Sequence, residues 1–316
     1  MNKLVIIFLF FLLTMQIQNI ALGKVVNLGL AWAGKSGMSK RVLQGFEEEI
    51  KLGNSSIEFQ IEKHPELPDV EELSKKMREF EKTKVGMVIF RSNAVKYMAK
   101  NPPTIPTFIG GNNHPGQLGA IKNINAPEGN ITGVTYYIPV ENQFEIFENI
   151  KPMKDITILL EEGHPSSDVD QNGTAAYCNK KGYRCNFPRI NSKEHLINIV
   201  KKYSKMGTDT FILGNQSLVF DNSVDVIKAA KKIPVFSFTK KPVENGAMVG
   251  FVADDIKLGK ILAQKVIDFY SNNLKIKDIP IGFDESPKFE INSKTANALG
   301  ISLPYEITNA ASKIWE

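Results

Sequence analysis

Apolar side chains recur along the chain with two different spacings, and the two spacings follow one another in a regular order. A continuous apolar run predicts a buried strand over 25–30, and apolar residues at every third or fourth position predict a helix over 39–50. Apolar and polar side chains alternate over 57–61, which is typical of a half-buried strand. The succession continues with a helix over 69–82, a strand over 85–90, a short helix after Asn93 and a strand over 105–109.

The pattern starts again at residue 155 and ends in a short tail. It predicts strands over 156–160, 183–187, 210–213 and 234–238, helices over 166–180, 193–205, 217–231 and 255–270, and a tail of two strands with a last helix near 293–299. Strands that alternate with helices form parallel sheets covered on both faces. The sequence therefore predicts an α/β fold of two Rossmann-like lobes, each with a doubly wound parallel sheet.

Two lobes of this kind predict a ligand cleft. In open α/β sheets, ligands bind beyond the carboxyl ends of the strands, where helix N-termini present free N–H groups. The loops at these ends are rich in Ser, Asn, Gly and Thr, and their positions are 33–39, 91–93, 110–114, 161–167, 214–217 and 237–241. These side chains favour neutral hydrogen bonding to a small solute, without a dense catalytic or metal-binding cluster.

The first 23 residues resemble a sorting signal. Lys3 is followed by an uninterrupted apolar run over 4–13, and small residues stand at Ala21 and Gly23. The alternative is an uncleaved membrane anchor, but the run is short of the roughly 20 residues that span a bilayer. We expect export to the periplasm with cleavage before Lys24, and no lipid anchor, because no cysteine lies at the cleavage site.

Export changes the interpretation of the two cysteines. Cys178 and Cys185 flank a polar segment between a predicted helix and a predicted strand. In an oxidising compartment such a pair favours a local disulfide. The alternative is two free thiols.

Composition excludes several classes of function. The 39 Lys and Arg residues exceed the 34 Asp and Glu residues, which gives a net charge of +5 over 316 residues, but no basic run is longer than two. This spread argues against a nucleic-acid interface. Two Cys and four His residues cannot build the common four-ligand zinc sites. We expect no cofactor and no enzymatic activity.

One motif requires a separate test. The segment from Gly29 to Ser36 matches the phosphate-binding loop G-x-x-x-x-G-K-[ST], in which Lys35 would contact phosphates. Three observations argue against a nucleotide binder. The chain carries an export signal, the apolar strand over 85–90 leads into Arg91 rather than Asp, and Leu30 to Trp32 continue a strand pattern.

Four segments in order resemble one family of solute-binding proteins. GNITGV over 129–134 is similar to its signature between the lobes, and INSKTANALGISLP over 291–304 is similar to its final segment. Two further stretches, 102–119 and 233–260, resemble its loop and hinge segments. The family is that of the ABC transporter substrate-binding proteins of the tryptophan/tyrosine-type group, which have a type I periplasmic-binding-protein fold.

The resemblance implies two lobes that close on a small solute and deliver it to an ABC permease and its ATPase in the inner membrane. The protein would be a monomer. Lobe one would comprise 24–135 and 255–280, lobe two 138–250 and 284–316, with hinge crossings near 135–140, 249–254 and 281–284. The alternatives are a periplasmic ligand-binding partner of a membrane sensor kinase or cyclase and, more remotely, an enzyme.

The resemblance also places ligand contacts at positions that match the family's motifs. They are Ser36, Ser39, Ser92, Asn93, Asn112, Asn113, Asn215 and Asp254. For an amino-acid-like ligand, we expect Ser36, Ser39 and Asn93 to hold a carboxylate. Asp254 either pairs with an ammonium group or caps the following helix.

Several further residues have two interpretations. Four aromatic residues could form a wall of the site, namely Trp32, Tyr136, Phe236 and Phe238. For Trp32, Phe236 and Phe238 the alternative is packing in the core. Arg91 either binds a carboxylate or pairs with an acid of lobe one.

Overall fold

The computed structural model describes residues 24–53 and 57–316. The predicted export signal over 1–23 lies outside these residues. No helix of the described part is long and apolar enough to cross a membrane.

The first part of the chain forms a parallel sheet of five strands in the order β2-β1-β3-β4-β5. Its strands are β1 (Lys24–Ala33), β2 (Ile57–Leu67), β3 (Gly86–Phe90), β4 (Thr107–Gly110) and β5 (Ile131–Gly133). Its helices are α1 (Gly37–Leu52), α2 (Val70–Thr83) and α3 (Ser92–Met98). Apart from the edge strand β2, the strands are almost continuous apolar runs, because helices cover both faces of the sheet.

The second sheet repeats the strand order of the first and then extends it. Its order is β13-β12-β11-β10-β9-β6-β7, with β8 beside β6, and only the β11–β12 pair is antiparallel in the described residues. Its strands are β6 (Asp155–Glu161), β7 (Arg184–Asn186), β8 (Arg189–Ile190), β9 (Thr210–Leu213), β10 (Val235–Ser237), β11 (Val249–Val252), β12 (Lys288–Asn292) and β13 (Lys313–Trp315). The predicted α/β fold with parallel sheets is confirmed.

The remaining α-helices lie in the second part of the chain, from residue 140 onward. They are α4 (Val140–Ile150), α5 (Pro165–Lys181), α6 (Lys193–Met206), α7 (Ser217–Phe220), α8 (Ser223–Ala230), α9 (Lys241–Glu244), α10 (Asp255–Ser271), α11 (Ser293–Leu299) and α12 (Tyr305–Ala310). A short 3₁₀ turn, Ile276–Asp278, follows α10.

The chain returns from the second sheet to the first through α10. This helix buries Leu258, Leu262 and Val266 in a cluster with Val26 and Leu28 of β1. The described chain therefore connects the two sheets at 134–139, at 253–254 and at 279–287. The lobe boundaries and the hinge assigned to these connections stay predictions.

Two glycines allow α1 and α10 to pack at close range. A Cβ atom on Gly45 would overlap the carbonyl group of Ile256, and one on Gly259 would overlap the carbonyl oxygen of Val42. An alanine at either position would push the helices apart. These contacts help to fix the start of α10, which lies beside the candidate site.

The structure differs from the predicted elements in a few segments. The predicted helix over 217–231 is two helices, because the Asn222 side chain donates to the carbonyl of Leu218 and interrupts the helical pattern. The predicted strand over 183–187 ends at Asn186, and β8 starts after Pro188. The predicted helix over 293–299 is present as α11, whereas α4 and the final helix α12 were not predicted.

The predicted disulfide is present. Cys178 near the end of α5 is bonded to Cys185 in β7, with their Cα atoms 6.3 Å apart. Gly182 between them has a φ of 72°, a left-handed conformation that ends the helix without steric strain.

Candidate functional site

A cavity of about 130 Å³ lies where loops of both sheets meet. Its lining comes from loops after strands of each sheet, from the connections between the sheets and from the starts of α1, α4, α5 and α10. The lining residues are Met38, Arg41, Asn113, Tyr136, Tyr137, Ile138, Val140, Gln143, Asp170, Asn215, Phe238, Thr239, Lys240, Phe251, Val252, Ala253 and Asp255. Four of the residues predicted as ligand contacts are among them, namely Asn113, Tyr136, Asn215 and Phe238.

A buried carboxylate, Asp170, lies in the polar part of this cavity. The side chain of Asp170 accepts hydrogen bonds from the backbone N–H of Asn215 at 2.8 Å and from Nε2 of Gln216 at 2.6 Å. Nδ2 of Asn113, which follows β4 of the first sheet, lies 3.5 Å from its other oxygen. The Asp170 carboxylate is therefore held between elements of both sheets.

The donors around Asp170 are all neutral amides. None of the ion pairs of residues 24–53 and 57–316 includes Asp170. Arg189 lowers the pKa of Asp170 through its charge, but its guanidinium bonds to Asp168 and Gln171 instead. Burial raises the pKa of Asp170 to about 6, although the hydrogen bonds lower it in part. Within the described residues, the Asp170 carboxylate is therefore buried without an ion-pair partner.

Asp170 was not predicted from the sequence, because it lies inside a helix. Positions 166, 170 and 174 of α5 form one buried face, and they carry Ser166, Asp170 and Thr174 instead of apolar residues. The signal for Asp170 in the sequence is a helix face that should enter the core but carries polar residues at i, i+4 and i+8. Burying such groups is costly unless they have partners, so this pattern predicts a polar site.

Tyr136 joins the two sides of the cavity. Its hydroxyl oxygen lies 3.4 Å from Oγ of Ser92, the first residue of α3, and 3.3 Å from Oγ of Ser166 in α5. Burial raises the pKa of the Tyr136 phenol. Oγ of Ser92 also accepts the backbone N–H of Asn113 at 2.9 Å, which orders the loop after β4.

The opposite part of the cavity is apolar. Ile138, Val140, Phe238 and Phe251 line it and belong to the core cluster of the second sheet. An aromatic or aliphatic group could replace water against these side chains with a gain in free energy.

Charged residues form a second polar edge at the start of α10. Nη2 of Arg41 lies 2.8 Å from Oδ2 of Asp255, and both residues line the cavity. Burial raises the pKa of Asp255, and the Arg41 guanidinium opposes that effect. Lys240 adds a further cation to the lining.

Several predicted contacts have local structural roles. Ser36 caps α1, since its Oγ accepts the N–H of Ser39 at 3.1 Å and the hydroxyl of Ser39 at 3.0 Å. Asn93 accepts the N–H of Ala94. The side chain of Asn112 donates to the carbonyl of Asn113, and its Oδ1 is buried without a partner among the described residues. None of these four side chains lines the cavity.

Asp254 and Arg91 are likewise outside the cavity lining. Oδ1 of Asp254 accepts the N–H of Lys257 at 3.0 Å, so this residue is the N-cap of α10. Nη1 of Arg91 donates to the carbonyl oxygen of Ala33 at 2.6 Å. No acidic side chain forms an ion pair with Arg91 in the described part of the chain.

Trp32 and Phe236 lie in the core. Trp32 stacks on Phe90 with ring centroids 5.6 Å apart, and Phe236 packs on Phe147 at 4.7 Å.

Residues 29–33, which form the first part of the segment that matched a phosphate-binding loop, are extended strand in β1. The segment therefore does not form a loop that could surround a phosphate.

The connections between the sheets are bonded to one another. The backbone N–H of Thr135 donates to the carbonyl of Gly282, and that of Gly282 donates to Gly133. The buried carboxylate of Asp284 accepts Nζ of Lys257 at 2.7 Å and the N–H of Asp254 at 3.1 Å. These bonds tie the connections together directly beside the cavity.

Comparison with known proteins identifies the family. The family model of the ABC transporter substrate binding proteins matches residues 40–315. The chain is 23% identical over 251 residues to a tyrosine-binding protein of Clostridioides difficile, which covers 78% of this chain and 71% of that protein.

Solved structures show the same fold. A Streptococcus pneumonia ABC domain in complex with L-Trp matches with a TM-score of 0.76 and 18% identity, over 92% of this chain and 100% of that one. A ligand-free, open substrate-binding protein with adhesive properties from Clostridium difficile matches with a TM-score of 0.73 and 19% identity, over 92% and 99% of the two chains. The family resemblance seen in the four sequence segments is confirmed, and the chain belongs to the ABC transporter substrate-binding proteins.

Proposed function

We propose that this substrate-binding protein binds an amino acid with an aromatic side chain in the cavity between its two sheets. The observation that carries the proposal is the Asp170 carboxylate, which is 6% exposed and has only neutral donors. A ligand ammonium group would supply the missing positive charge. Charge-assisted hydrogen bonds of this kind are about twice as strong as neutral ones.

The rest of the cavity suits the other groups of such a ligand. Arg41 and Lys240 provide cations for an α-carboxylate, and the apolar wall with Phe238 and Phe251 provides a surface for a ring. The relatives that bind tyrosine and tryptophan support the same ligand class. The closure of two lobes on this ligand is part of the proposal.

Calorimetry with matched ligands tests the role of the ammonium group. The purified protein should bind L-tryptophan or L-tyrosine, and the corresponding N-acetyl derivative, which keeps the ring and the carboxylate, should bind at least about 100-fold more weakly, because a buried charge pair is lost. Equal affinity for the amino acid and its N-acetyl derivative would contradict the pairing with Asp170. Absence of binding by any amino acid would contradict the ligand class.

Export and delivery to a permease complete the proposal. We infer that the chain is cleaved before Lys24, acts in the periplasm and passes its ligand to an ABC permease and ATPase. N-terminal sequencing of the exported protein should begin at Lys24. Cells that lack the protein should lose high-affinity uptake of the labelled amino acid, and uptake that is unchanged would contradict the transport role.

A further inference from the structure

Gln143 is a buried side chain of the cavity whose acceptor has no partner. Its Oε1 makes no hydrogen bond within the described part of the chain, although the residue is only 5% exposed. The residue lines the same cavity as Asp170. A buried acceptor in this position calls for a donor from outside the protein.

The orientation of the Gln143 amide is fixed. Its Nε2 donates to the backbone carbonyl of Ile138 at 2.9 Å. Exchange of the two amide atoms would place an oxygen against that carbonyl oxygen and lose the bond. The free atom is therefore the oxygen, and the complementary group is a hydrogen-bond donor.

The surroundings of Gln143 restrict what carries this donor. The Gln143 amide donates to the carbonyl of Ile138, and Val140 lies about one turn before Gln143 in α4. Ile138 and Val140 belong to the apolar wall, together with Phe238 and Phe251. A ligand that fills this part of the cavity must be largely apolar, yet a bare hydrocarbon would displace water from Oε1 and leave the acceptor unsatisfied. A ring with one donor meets both requirements.

A second polar atom in the lining has the same property. Oγ1 of Thr239 is buried without a partner in the described residues, while the backbone N–H of Thr239 donates to Ser237. A hydroxyl can donate as well as accept. Apart from the Asp170 carboxylate, the cavity thus presents one obligate acceptor, Oε1 of Gln143, and one group that can take either role, Oγ1 of Thr239.

We propose that Oε1 of Gln143 accepts a hydrogen bond from the side chain of the ligand, so that the site selects a phenol or an indole over a phenyl ring. This inference rests on the proposed binding of an aromatic amino acid. It assigns selectivity to α4, whereas Asp170 in α5 serves the ammonium group that all amino acids share.

The test compares L-tyrosine, L-tryptophan and L-phenylalanine by calorimetry. L-tyrosine and L-phenylalanine differ by one hydroxyl, so the pair isolates the donor. The wild-type protein should bind L-tyrosine or L-tryptophan about 10- to 100-fold more tightly than L-phenylalanine, because sites built around a hydrogen bond reject analogues that lack it. Gln143→Leu should bring this ratio close to one, mainly by weakening the two donor-bearing ligands.

Two further variants keep the test decisive. Gln264→Leu makes the same exchange on the exposed face of α10, where the amide bonds only to Asp268, and it should keep the wild-type ratio. Thr239→Val provides a second change in the lining if Gln143→Leu does not fold, and it should reduce the preference for L-tyrosine over L-phenylalanine.

The outcomes separate the two proposals. Equal wild-type affinity for the three amino acids, or an equal loss for all three in Gln143→Leu, overturns the role of Gln143 and leaves the aromatic amino-acid ligand in place. Failure of all three to bind overturns both.

Discussion

Two carboxylates near the connections between the sheets have the same burial but opposite electrostatic surroundings. Asp170 in the cavity and Asp284 in the third connection are each 6% exposed, and each has three donors. Burial raises the pKa of Asp170 to about 6. Burial acts in the same direction on Asp284, but the Lys257 ammonium and two backbone N–H groups hold the pKa of Asp284 below its ordinary value.

One clear difference between the two sites is a cation. Asp284 receives its positive charge from Lys257 within the chain, so its site is complete in the folded protein. The donors around Asp170 compensate for burial only in part, because neutral amides stabilise a carboxylate less than an ammonium group does. A buried carboxylate that is paired with a cation of the chain stabilises the fold, whereas a buried carboxylate without such a cation is suited to bind a cationic group of a ligand.

The largest expected effect follows from removal of the Asp170 charge. Asp170→Asn keeps the shape of the side chain and an acceptor for Asn215 and Gln216. Affinity for the amino-acid ligand should fall about 100-fold, which corresponds to about 3 kcal/mol. The free energy of unfolding of the ligand-free protein should stay the same or rise, because a buried unpaired charge is removed.

Calorimetry and urea unfolding on the same samples measure both quantities for Asp170→Asn. A loss of stability together with unchanged affinity would mean that Asp170 serves the fold, as Asp284 does. That result would remove the contrast between the two carboxylates.

The same substitution at Asp284 should have the opposite profile. Asp284→Asn places an amide where Lys257 and the backbone N–H groups of Asp254 and Ser286 now find acceptors. Leaving buried donors without acceptors should lower the free energy of unfolding by about 2 kcal/mol. Affinity for the ligand should change by less than about threefold. A 100-fold loss of affinity with unchanged stability would show that this carboxylate acts in binding.

The sequence predicted one part of the site better than the other, for a physical reason. Asn113 and Asn215 line the cavity as the sequence placed them, because they follow β4 and β9 and the carboxyl ends of parallel strands converge at one edge. Asp170 and Gln143 lie inside helices, where only a polar face at buried positions distinguishes them. Gln143 was also hidden because α4 was not predicted.

The fold was largely predictable because its strands are apolar runs and its helices are amphipathic. The differences arose where a side chain bonds to the nearby backbone, as Asn222 does between α7 and α8. Helix caps also limit what can be predicted from the sequence. Ser36 and Asp254 stand at helix starts, where capping and ligand binding favour the same residue types, and only the geometry distinguishes the two roles.

The dependence of folding stability on pH should have opposite signs for the two carboxylates. Asp170 has a raised pKa in the folded state, so the folded protein keeps its proton after the unfolded chain has lost it. Its contribution to stability therefore falls as the pH rises from about 4 to about 6. Asp284 has a lowered pKa, so its contribution is present above the ordinary pKa of an aspartate and is lost as the pH falls below it.

Ligand affinity should follow the charge of Asp170 over the range from pH 5 to pH 7. With a pKa of about 6, the charged fraction of Asp170 rises about tenfold across this range, and the apparent affinity should rise by the same factor. Arg189 lowers the pKa of Asp170 through its charge. Burial raises the pKa of the Tyr136 and Tyr137 phenols, so both stay neutral from pH 5 to pH 7. Burial lowers the pKa of the nearby His164 to about 4, so it stays neutral.

Calorimetry at pH 5, 6 and 7 measures this dependence, and Asp170→Asn provides the control. The variant should give an almost constant affinity over the same range. A wild-type affinity that does not change with pH, or a variant that keeps the tenfold rise, would contradict the assignment of the titrating group.

The smallest expected effect concerns a third carboxylate, Asp254, which the sequence left between a cap and an ammonium ligand. Its Oδ1 accepts the N–H of Lys257, and asparagine caps helices about as well as aspartate does. Asp254→Asn should therefore change ligand affinity by less than about twofold and the free energy of unfolding by less than about 0.5 kcal/mol. Calorimetry and urea unfolding beside Asp170→Asn measure both values. If Asp254→Asn loses affinity about 100-fold and Asp170→Asn does not, the ammonium group binds at the start of α10, and the incomplete charge around Asp170 has another explanation.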